Sequence, residues 1–80
     1  MMNKAEKREL EIETLVTIYN FCDKQMEYHK EDIKCYEISM KETLEQNPDY
    51  DCSYYLQQIE QNKVHVEAYK KAQETIYKMM

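Results

Sequence analysis

The stretch TIYNFCDKQMEYHKEDIKCYEISM, Thr17 to Met40, decides how this chain is read. It holds two cysteines, a histidine, two methionines and three tyrosines, the composition of a soft-metal or redox site and equally of the seam of a long helix. Spacing separates the two. Ile12, Tyr19, Met26, Ile33 and Met40 recur every seven residues, and Leu15, Cys22, His29, Tyr36 and Thr43 recur with them three residues later. These are the a and d positions of a heptad, carried through more than four repeats without a slip. No Gly or Pro interrupts them, and Asn3 followed by Glu6 reads as an N-cap and capping box. One continuous helix over residues 4–46 is expected, roughly 65 Å long at the α-helical rise.

Within that helix Cys22, Met26 and His29 line one face and offer soft-metal donors. They are also consecutive seam positions, where the heptad calls for mid-sized side chains. No CxxC or HxxxH accompanies them, as a zinc site would want. The Glu-x-x-His pairs of di-iron bundles fail twice, with Met26 three before His29 and Asn62 three before His65. The seam reading is preferred, with Cys22 as a packing residue, His29 as a polar register-setter, and no metal or other cofactor.

The only proline, Pro48, closes the first helix, because the residue before a proline is pushed out of the α region. Asn47 is also a good N-cap and Pro a favoured first helical residue, so NPDYD reads as a tight turn over 47–50 that opens a second helix. That helix is expected over about 51–78, with Cys52, Ile59, Val66, Gln73 and Met80 at a and Tyr55, Asn62, Tyr69 and Ile76 at d. Folding the seams together about Asn47–Pro48 pairs Met40 with Tyr55, Ile33 with Asn62, His29 with Val66, and Cys22 with Gln73. Glu37–Lys41, Glu67–Lys71 and Glu74–Lys78 stand at i, i+4 in the favourable orientation. The first helix should overhang the hairpin over residues 3–14, leaving Leu10 and Ile12 uncovered.

The expected fold is therefore all-α: one domain over 1–80, an antiparallel helical hairpin with a long first helix. A three-helix bundle broken near YHKED (28–32) is the alternative. A second apolar strip, Ile18, Phe21, Tyr28 and Cys35, flanks the first seam, and Leu56, Ala72 and Tyr77 stand beside the second. A two-helix hairpin has one interface and cannot bury both. Association into a homo-oligomeric helical bundle, or docking on a partner, is the way to cover the second strip.

Composition removes several function classes. Glycine is absent, so phosphate-cradling loops, nucleophile elbows and dinucleotide fingerprints have no usual form here. The net charge of −5, with both signs interspersed, gives no basic stripe for nucleic acid. No run nears the ~20 apolar residues of a membrane span. Three cysteines at wide spacings and a charged N-terminus without an apolar leader point to a reduced, cytoplasmic protein. Carboxylates lie on solvated faces, and Cys35 and His65 sit on different helices, so no catalytic residues are assigned.

What remains is binding. Of the eight tyrosines, Tyr28, Tyr50, Tyr54 and Tyr77 are not consumed by the seam. Tyrosine combines contact area with a polar tip and is enriched at interfaces. The expected interface residues are Ile18, Phe21, Tyr28, Tyr50, Tyr54 and Tyr77. The expected function is non-enzymatic: stoichiometric binding to a larger bacterial protein as an accessory regulator or inhibitor. The richness in Lys, Ile, Asn and Tyr suits the AT-rich genome of a phage or mobile element. Two alternatives stand beside it: an oligomer that sequesters a small nucleotide-type ligand between subunits, by tyrosine stacking and lysine charge, and a purely structural homo-oligomer. No stretch carries a motif that ties the chain to a known family.

Overall fold

The computed structural model describes residues 1–80 and contains two α-helices and no strand: α1 spans Lys4–Gln46 and α2 spans Ser53–Met79. The two pack antiparallel into a rod of 67 × 15 × 14 Å. Its radius of gyration is 19.2 Å, against about 12 Å for a globule of this length. The chain is thus a helical hairpin and not a three-helix bundle. α1 runs unbroken through residues 28–32, where no residue lacks a backbone donor or favours another conformation.

The start of α1 is set by Asn3, whose Oδ1 accepts from the Glu6 backbone N–H at 2.8 Å while its Nδ2 donates to the Glu6 carboxylate at 3.2 Å. This meets one of the unpaired first-turn donors and places an acid at the positive end of the helix. Its end comes at Asn47, extended at φ −142°, ψ 90°, whose N–H donates to the Thr43 carbonyl.

Beyond Asn47 the chain departs from the sequence reading. Pro48 does not open α2. It occupies the second position of a β-turn closed by the Tyr50 N–H donating to the Asn47 carbonyl at 3.0 Å, a place equally suited to its fixed φ. α2 begins at Ser53, so the helices are joined by residues 47–52. Asp51, not Asn47, supports the new helix: its Oδ1 accepts from the Ser53 N–H at 3.0 Å and from the Ser53 hydroxyl.

The core is the heptad seam. Six residues are buried, Cys22, Met26, Ile59, Asn62, Gln73 and Ile76, and every one occupies an a or d position. All other seam positions except Met80 are half-buried. Across the seam His29 bonds Asn62 and stacks on His65, and Gln73 bonds the Tyr19 carbonyl one turn from Cys22 and stands 3.4 Å from Asp23. A seam residue seats between two residues of the facing helix, so a single opposite number describes only half of its surroundings.

The overhang is shorter than the sequence suggests. Arg8 donates through Nη2 to the carbonyls of Met79 (2.9 Å) and Met80 (3.1 Å), so α2 reaches the level of Arg8, and Ile12 is half-buried while Leu10 stays exposed. The charged pairs at i, i+4 do not close. The one ion pair within 4.0 Å is Arg8–Glu11 at 3.1 Å. Solvated side chains lose rotamer freedom on pairing and gain little for it.

Candidate functional site

Two constellations stand out along the rod. The first is a polar stretch of seam at mid-length. Asn62 Nδ2 donates to the Gln58 carbonyl at 2.8 Å, which turns its Oδ1 toward α1, where His29 Nδ1 donates to it at 2.7 Å. The His29 ring stacks on His65 (centroids 4.7 Å apart, planes 13° from parallel) and lies 6.0 Å from the Tyr69 ring. Further from the turn, Gln73 Nε2 donates to the Tyr19 carbonyl at 3.0 Å and stands 3.4 Å from an Asp23 carboxylate oxygen. No buried side-chain polar atom is left without a partner. Cys22 and Met26 are buried in the same seam and His29 Nδ1 is committed to Asn62. No three His, Cys, Asp and Glu side chains converge as metal donors. The arrangement fixes how the helices meet.

The second constellation lies at the turn. Tyr55, at d of α2, is ringed by Tyr54 (centroids 5.9 Å), Tyr50 (6.3 Å) and Tyr36 of α1 (6.5 Å), and Tyr36 also meets Tyr54 edge-on at 6.3 Å. The Tyr55 hydroxyl stands 3.4 Å from that of Thr43. Interaction with the neighbouring Tyr54 hydroxyl, then repulsion between the two phenolates, holds the Tyr36 phenol above its ordinary range; slight desolvation and Asp32 act in the same direction. At the base of the cluster the Ser53 hydroxyl and N–H hold the Asp51 carboxyl below the usual carboxylate value.

All six residues singled out in the sequence are exposed, from Ile18 at 44% to Tyr77 at 72%, but they do not form one surface. Tyr50 and Tyr54 belong to the turn cluster. Phe21 meets Tyr69 of α2 edge-on at 6.5 Å, and Ile18 and Tyr28 share its flank of α1. Tyr77 stands on the other flank, lining a shallow depression with Tyr19, Lys70 and Gln73. Sequence reasoning assigned Tyr36 to the seam alone and so missed its part in the turn cluster; the SYY stretch (53–55) in the first turn of α2, beside Asp49 and Asp51, is the signal that marks the rest as a contact surface. It also missed Arg8, which nothing in its local sequence links to the end of α2.

No helix is long and apolar enough to cross a membrane. The chain matches no protein-family model, and no curated protein or solved structure is similar to it.

Proposed function

We propose that the protein is a non-enzymatic binding module that acts by stoichiometric attachment to a larger protein through the tyrosine cluster at its turn. The observation that carries this reading is the clustering itself. Tyr36, Tyr50 and Tyr54 pack their rings around Tyr55 at one end of a stiff rod, with Tyr50 and Tyr54 exposed. Rings held by their neighbours lose little conformational freedom on binding, and the exposed Tyr50 and Tyr54 present both contact area and a polar tip to a partner. Asp49 and Asp51 beside them favour a target surface carrying Lys or Arg. The richness in Lys, Ile, Asn and Tyr suits the AT-rich genome of a phage or mobile element, and on this reading the module is an accessory regulator or inhibitor directed at a bacterial protein.

The test compares immobilised wild type with the double variant Tyr50→Ser/Tyr54→Ser and with Tyr77→Ser in lysate of a low-GC bacterium. One bacterial protein retained in equimolar amount by wild type and Tyr77→Ser, and released by the double variant, is the expected result. Retention by all three forms would move the contact away from the turn. Purification with a bound small molecule, and no protein partner, would replace this reading by ligand sequestration.

A further inference from the structure

We infer that the flank of the hairpin carrying Ile18, Phe21 and Tyr28 is the surface on which a second copy of this chain packs, giving a four-helix bundle. The inference stands apart from target binding at the turn and rests on charge, area and shape.

Charge distinguishes the two flanks of the seam. With a and d fixed by the buried residues, the c and g positions of both helices fall on one flank and the e and b positions on the other. Between Thr14 and Ser39 of α1 and Tyr54 and Met79 of α2, the c and g positions hold one charged residue, Asp32. The opposite flank is dense with Glu, Asp and Lys, among them Glu27, Lys30, Glu60 and Lys63. A chain that is 34% charged has thus cleared one side of the rod over its middle stretch, with Lys4, Lys7, Glu11 and Glu42 at the same positions of α1 toward its ends. Of the five half-buried residues just outside the seam, Gln25, Ser39, Gln58 and Ala72 lie on the cleared flank and only Leu44, near the turn, lies on the other.

Area says how large the missing partner is. The chain exposes 6582 Å², whereas a folded monomer of its 9.8 kDa exposes about 5,200 Å². The excess is about 1,400 Å² per chain, so two chains burying it would form an interface of about 2,800 Å², in the range of obligate homodimers. The uncharged stretch, residues 14–39 of α1 or about 38 Å at the helical rise, on a rod 15 Å wide offers roughly 600 Å² per partner, the low end of specific interfaces. Broadside pairing over it removes a large part of the excess, which contact at a tip cannot.

Shape supports a copy of the same face as the occupant. Away from the turn, α1 presents the large Ile18 and Phe21, while α2 at the same level presents the small Ala72 and Thr75; Tyr28 stands level with His65. Toward the turn the sizes reverse, with Cys35 and Ser39 on α1 facing the level of Tyr54 and Gln58 on α2. A two-fold axis along the hairpin lays α1 of one copy over α2 of the other and sets large against small at both of these levels. Such an interface is self-complementary, as two-fold symmetry requires. It also brings both turns, with their tyrosine clusters, to the same end.

Sedimentation velocity at micromolar concentration under reducing conditions tests the inference. Wild type should sediment at twice the chain mass. Phe21→Glu and, independently, Ala68→Glu should weaken the pair about a thousandfold, since each charge enters a symmetric interface twice. Circular dichroism should stay helical, and Val64→Glu on the outer face of α2 should leave the dimer intact. Should Phe21→Glu unfold the chain, the exposed Ala68→Glu alone decides. The size exchange Phe21→Ala/Ala72→Phe should restore association that Phe21→Ala loses. A monomeric wild type, or a dimer indifferent to Ala68→Glu, would overturn the inference and leave the flank to a different protein.

Discussion

Replacing Asn62 by leucine probes the seam most directly. Asn62 is 8% exposed, and its one bond across the helix interface is the 2.7 Å contact with His29 Nδ1. Losing that bond costs about 1 kcal/mol net. The larger penalty for a stranded buried donor does not apply, because the His29 ring is half-buried and its N–H can reach water. Burying a leucine side chain in the same space contributes about 1.5–3 kcal/mol. The balance is a gain of about 1 kcal/mol, visible as a rise of about 0.5–1 M in the urea midpoint at unchanged slope. A double-mutant cycle of Asn62→Ala with His29→Ala isolates the bond, since the lost stacking on His65 cancels; the coupling should be about 1 kcal/mol. Destabilisation of Asn62→Leu by more than about 1 kcal/mol, or a coupling below about 0.3 kcal/mol, would refute the pairing of these two residues.

Three further outcomes follow from the same contacts. Asp51 is held low first by the Ser53 hydroxyl and then by the Ser53 N–H, so its contribution to stability is complete above the unfolded value of about 3.8 and disappears as pH falls through the lower folded value. Ser53→Ala should return the Asp51 titration, followed by its carboxyl carbon shift, toward that ordinary value; an unmoved titration refutes the Asp51–Ser53 contact. Tyr36 is raised, so the folded state keeps its proton after the unfolded chain has lost it, and stability falls as pH climbs from 10.0 through the folded value. In Tyr54→Phe the late tyrosinate absorbance step should move to lower pH, and no movement would remove Tyr54 as the cause. Arg8→Ala frees the Met79 and Met80 carbonyls, so amides in the last turn of α2 should exchange faster while those around Ile59 keep their protection. Unchanged exchange at the end of α2 would show that the guanidinium contact carries no weight there.

The seam was legible because a hairpin of two long helices has one interface, and its residues must recur with the helical period. Cys22, Met26, Ile59 and Ile76 are buried for the reason that their spacing announces. The linker was harder. Pro48 suits both the first turn of a helix and the second position of a β-turn, and local sequence does not choose between them. The choice went to the β-turn, which leaves Asp51 rather than Asn47 to support α2. Exposure of the candidate interface residues could be read from their distance to the seam. Their grouping could not, because Tyr36 lies on α1 while Tyr50, Tyr54 and Tyr55 follow it, and only the crossing of the helices brings the rings together.

That crossing depends on the polar residues of the seam rather than on the apolar ones. Ile, Met and Tyr accept many neighbours, and sliding one helix past the other by a heptad would exchange one apolar contact for another at little cost. The same slide would set Asn62 against Cys22 or Tyr36 in place of His29, and would replace Asp23 beside Gln73 by Val16 or Lys30. The Cys22 thiol is a poor donor to the Asn62 oxygen, and neither valine nor a lysine ammonium can replace the Asp23 oxygen beside Gln73, which would keep a backbone carbonyl alone. Leaving the buried Asn62 oxygen without its donor costs about 1–3 kcal/mol, large against the roughly 5–15 kcal/mol that holds a typical domain together. Arg8 would also lose the end of α2. Asn62 and Gln73 therefore select one register, and that register sets Tyr36 beside Tyr54 and aligns the large and small residues of the uncharged flank. Substitutions at these two buried amides should disturb both surfaces without touching either, by letting the helices slip.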